Sequence, residues 1–165
     1  MCPSTQLGGV PACTNYSHLI AVLVPEERDR SGESDSSRFL VAGADHSWWV
    51  RTQQGHLAEA MPRVRAILAS AENAIIESNS ILRFVRPDLY LTVLDLATED
   101  FKSSAQQFLD RADAALLHVN ANPAAQTWKQ VSLKPIANRP TFTIHPPTYV
   151  TDEIVAFVRT HLDGL

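Results

Sequence analysis

Short apolar runs alternate with longer amphipathic stretches along this chain, and polar or turn-forming residues separate them. A short β-branched or apolar run between polar bounds reads as a buried strand. That rule predicts strands at His18–Val24, Ser47–Arg51, Ala74–Glu77, Leu89–Leu94 and Ala114–Val119, with Phe142–Ile144 as an edge strand before Pro146-Pro147. Between them lie helical patterns. Asp35 or Ser36 is placed to cap a short helix, Ser37–Ala42, which Gly43 stops. Leu57–Ser70 carries Leu57, Met61, Val64, Ile67 and Leu68 at amphipathic spacing, and Pro62 predicts an irregular or later start. Ser80–Val85 reads as a helical turn and Asp100–Ala112 as a helix. Thr151 caps a last helix reaching Leu162, with Asp152 and Glu153 suited to its first turn. Residues 1–17, with Pro3, Gly8, Gly9 and Pro11, read as a loose segment, and Glu26–Ser34 and 121–140 as loops.

Strand and helix alternate throughout, which predicts an α/β fold: a mostly parallel sheet with helices on both faces. A length of 165 residues suits a single domain. The apolar fraction of 45% is enough for a core. The net charge of −4, with no basic stripe, argues against a nucleic-acid platform. Every apolar run falls short of the ~18–20 residues that span a bilayer. The first residues lack the basic segment and long apolar stretch of a secretory leader, so a cytoplasmic location is expected. Cys2 and Cys13 are too few for a disulfide framework, and their spacing is not a usual zinc pattern.

Candidate chemistry gathers at predicted strand ends. Glu77, Asp95 and Asn120 each close an apolar run, and in a parallel sheet all three would stand along one rim. Glu77 is placed to serve a magnesium ion, directly or through water. Asn120 is placed to hydrogen-bond a base edge, and strand ends are also simply where polar residues cap turns. The charged loop Glu26-Glu27-Arg28-Asp29-Arg30 reads either as solvated surface or as an acid and an arginine near phosphate. Arg83, Arg86 and Lys102 are further cations for such a rim. Trp48 and Trp49 are adjacent, so a strand would turn one to the core and the other under a helix. His118 sits inside an apolar run, where a satisfied core histidine is the expectation. No Gly-rich loop ending in Gly-Lys-Ser/Thr is present.

The stretch Gly32-Glu33-Ser34-Asp35-Ser36-Ser37-Arg38-Phe39-Leu40-Val41-Ala42-Gly43-Ala44 resembles a segment of the molybdopterin-guanine dinucleotide biosynthesis protein B family. That family carries a glycine, Asp-Ser-x-Arg and Ala-Gly-Ala before a strand, then a helix and an apolar strand ending in Glu-Gly. The order matches over most of residues 29–120. The resemblance implies a P-loop NTPase-like fold, incomplete at its N-terminus, and a GTP- or ATP-binding accessory protein working with magnesium and a cofactor-maturation partner. It implies that Asp35 and Arg38 lie near nucleotide phosphates, that Glu77 is the acid serving magnesium, and that Asn120 begins a base-recognition motif. The chain departs from the pattern at Ser78, which replaces the glycine, and after Asn120, where Ala121-Asn122-Pro123 stand in place of the usual lysine and aspartate. The phosphate-loop unit is expected to be missing, so phosphoryl-transfer activity is expected to be lost. A non-catalytic interaction module on a degenerate scaffold is the alternative. An unpaired sheet edge would allow a homodimer.

Overall fold

A computed structural model describes residues 22–95, 103–118, 132–145 and 147–164. These residues gather into two compact units that divide between Ala74 and Ile75.

The first unit holds two helices and a short antiparallel contact. Helix α1 spans Asp35–Val41. Its cap is Ser34, one residue before the earlier of the two predicted caps. Ser34 and Ser37 satisfy each other: Ser37 N–H donates to Ser34 Oγ at 3.2 Å, and Ser34 N–H donates to Ser37 Oγ at 3.1 Å. Gly43, at φ 105°, supplies the left-handed residue just past the helix end. Helix α2 spans Leu57–Ala69 and runs through Pro62 without a late start. It buries Ala60, Met61 and Val64 on one stripe. The runs around Leu23 and Trp48 do meet, but as isolated antiparallel bridges, Leu23 with Arg51 and Glu26 with Trp48. They form no part of a parallel sheet. Residues 18–21 of the first predicted strand lie outside the described residues.

The second unit is built on three parallel strands in sequential order. Strand β1 is Leu91–Asp95, β2 is Ala114–His118, and β3 is Thr141–Ile144. Helix α3, Ser103–Gln107, lies between β1 and β2, and the shorter 3₁₀ turn Leu109–Arg111 follows it. The predicted helix over 100–112 is therefore broken in two where it is described. Helix α4 is Asp152–Leu162, and its cap is as expected: Thr151 Oγ1 accepts from Ile154 N–H at 3.4 Å.

Pairing puts Leu94 beside Leu117 and Val93 beside Leu116, so alternate residues share a face across the sheet. One face carries Leu94, Ala115 and Leu117 and packs with Leu109 and Ile136 from the two 3₁₀ turns Leu109–Arg111 and Lys134–Ile136, and with Ala112, which follows the first. The other carries Leu116 and Phe142, and Phe142 meets Phe157 of α4 with ring centroids 5.3 Å apart. One face is thus covered by 3₁₀ turns where helices were expected, and α4 covers the other at Phe142 but leaves Val93 of β1 exposed. The α/β class holds, on a small sheet.

One predicted strand is absent. Ala74–Glu77 adopts no regular structure, and every residue from Ala71 to Ser78 is exposed. An apolar pair such as Ile75-Ile76 makes a strand only where neighbouring strands supply hydrogen bonds and a covered face. Ile75 is 84% exposed and has neither.

Candidate functional site at the carboxyl ends of β1 and β2

The parallel sheet delivers its polar chemistry at one rim. Asp95 is the last residue of β1 and His118 the last residue of β2, and the two are register partners on one face. His118 Nδ1 lies 3.3 Å from Asp95 Oδ2. Both side chains are partly covered, with 21% of the histidine and 35% of the aspartate exposed. Adjacent strands spaced ~4.8 Å apart bring such partners together without any loop contribution. The Tyr149 ring stands beside the imidazole, 6.5 Å between centroids and tilted by 37°. Within the imidazole, Nε2 is shielded from solvent and has no hydrogen-bond partner among the described residues.

The remaining sequence-derived candidates are placed differently. Glu77 stands on the exposed irregular segment, so the reason for expecting it at a strand's carboxyl end is gone. Among the described residues no group of three or more His, Cys, Asp or Glu side chains is placed to hold a metal. Asp35 and Arg38 are both exposed on α1 and bind each other, Arg38 Nη1 to Asp35 Oδ1 at 2.8 Å, while Arg38 Nε donates to the Gly32 carbonyl. Asn120 and Lys102 lie outside the described residues, as do Cys2 and Cys13. Arg83 donates to Gln107 Oε1 at 2.9 Å, an ordinary structural tie.

Comparison with protein-family models, with characterised proteins and with solved structures finds no match.

The charged loop before α1 is occupied with its own backbone. Glu27 Oε1 accepts from the Arg28 and Asp29 N–H groups, and Glu27 Oε2 accepts from the Ser36 hydroxyl at 2.6 Å. The Ser36 hydroxyl, then the Asp29 and Arg28 amides, hold the Glu27 carboxyl below the usual carboxylate range. Asp29 is lowered in the same way, first by the Ser31 hydroxyl and then by the Ser31 amide. Arg30 donates to the Leu40 carbonyl at 3.2 Å. Of the two readings of this loop, the structure shows a hydrogen-bonded knot that ties it to α1.

The tryptophans also depart from expectation. Trp49 is 45% exposed with the Arg51 guanidinium 4.4 Å above its ring, and Trp48 stacks on His46. Sequence reading missed the His118 pair because the histidine sat inside an apolar run. The usable signal was register: two apolar runs of similar length, each closing on a polar side chain, place those closers side by side if the strands are parallel.

Proposed function

We propose that the chain binds a small nucleotide-like ligand at the carboxyl rim of β1 and β2, as a binding or accessory protein. The observation that carries this reading is the Asp95–His118 pair at the ends of adjacent parallel strands. In open α/β sheets the strand ends face the ligand crevice, because strand termini there leave polar groups free for a bound molecule. The resemblance of residues 29–120 to the molybdopterin-guanine dinucleotide biosynthesis protein B family supports a nucleoside phosphate as the ligand class. The same resemblance supports a cofactor-maturation partner as the protein it serves. The site does not depend on Glu77.

Titration with fluorescent GTP and ATP analogues, with and without magnesium, tests the proposal. Saturable binding is expected, weakened roughly tenfold (about 1.4 kcal/mol) by Asp95→Asn or His118→Gln. Binding untouched by both changes, or no binding by the full chain, sinks it. One observation favours a second reading as an interaction module: Leu23, Trp49 and Arg51 are exposed together on the antiparallel bridge. Aromatic and arginine side chains of this kind anchor protein partners.

A further inference from the structure

We infer that His118 is the proton-accepting residue of this rim, with its proton held on Nδ1 toward Asp95 and its Nε2 lone pair receiving an N–H or O–H of the ligand. A neutral imidazole has one donor and one acceptor nitrogen, and an ionised carboxylate only accepts. Asp95 Oδ2 lies 3.3 Å from Nδ1, within ion-pair distance, and a proton on Nδ1 toward it leaves the acceptor at Nε2. That acceptor is enclosed and has no partner among the described residues. Bulk water does not reach it, and enclosed polar atoms are otherwise almost always paired. A ligand N–H or O–H that displaces the side chains covering Nε2 completes the pairing. The Tyr149 ring beside the imidazole adds an aromatic surface, which favours a flat ring with an N–H at its edge. The identity of the ligand rests on the nucleotide reading above; the proton position does not.

The test is a long-range nitrogen–proton correlation spectrum of the full chain labelled at its histidines, at neutral pH. His118 signals are assigned by their loss in His118→Gln and, independently, by through-space contacts to the Tyr149 ring. The expected spectrum has the proton on Nδ1, and Asp95→Asn moves part or all of it to Nε2. Guanosine or adenosine monophosphate is expected to shift Nε2, and ribose 5-phosphate, which lacks the ring, is not. A proton on Nε2 in the wild-type chain, or a proton position indifferent to Asp95→Asn, overturns the inference. So does a nucleotide that shifts β1 and β2 amides but leaves Nε2 unmoved. If neither nucleotide shifts any rim resonance, the ligand class proposed above fails, and the proton position judges the histidine separately.

Discussion

At the residue scale, Leu94 and Glu27 show two ways in which a side chain is committed. Leu94 is fully buried on β1 and packs with Leu109, Ala112, Ala115 and Ile136. Leu94→Ala would remove three side-chain carbons, the Cγ and its two methyls, from the centre of that cluster and leave a cavity. A loss of about 2–5 kcal/mol is expected, read as a lower urea midpoint. Glu27 is committed by hydrogen bonds instead. Its carboxyl is lowered in the folded chain, so the unfolded chain binds protons more readily as pH falls through the carboxylate range. The stability that Glu27 contributes is therefore present above its unfolded value and lost as pH drops through its lower folded value. Ser36→Ala removes the largest cause. The Glu27 titration midpoint, followed by carboxyl carbon NMR, is expected to rise toward the ordinary glutamate value. A midpoint that stays put would show that the backbone amides alone hold it.

The helices give the clearest lesson at the scale of elements. Pro62 sits in the sixth position of α2, where its missing N–H removes a backbone bond to the preceding turn. The helix forms anyway, because Ala60, Met61 and Val64 are buried along one stripe, and such burial outweighs local propensity. Pro62→Ala restores the donor and is expected to raise stability by up to ~3 kcal/mol, measured as a higher thermal midpoint with unchanged helix content. A lower midpoint would mean that the proline's restriction of the unfolded chain dominates. The strand readings divide on a different ground. Leu91–Asp95, Ala114–His118 and Thr141–Ile144 were legible because each apolar run finds a partner in the same unit. Ala74–Glu77 had a similar local pattern and failed because no strand pairs with it. The antiparallel meeting of Leu23 with Arg51 was illegible for a related reason: pairing direction is set by the path of the chain, and side-chain pattern carries no record of it.

For the whole molecule, the two units and the exposed stretch at their boundary are the salient features. Residues 71–78 are exposed throughout and lack regular structure, and the division between the units falls within them. Such backbone is open to proteases. A Glu-specific protease at low ratio is expected to cut first after Glu72 or Glu77, giving two main fragments identifiable by mass. First cleavage at Glu27, Glu59 or Glu153 would contradict the exposure described here. No helix among the described residues is long and apolar enough to cross a membrane. On the open part of the sheet, Val93 is 61% exposed on β1, so the strand at that edge keeps an apolar side chain in contact with solvent.

The amino-acid pattern alone determined the α/β class, the three apolar runs that become β1, β2 and β3, the course of α2 and the Thr151 cap of α4. Each of these is a local matter of periodicity, capping chemistry or the length of an apolar run, and such forces act between residues close in sequence. Only the tertiary structure decided that Glu77 stands away from any strand and that Asp95 meets His118. Those outcomes depend on register and on which segments pair. Pairing is governed by contacts between residues distant along the chain, where a carboxylate and an imidazole 23 positions apart become neighbours because their strands run side by side.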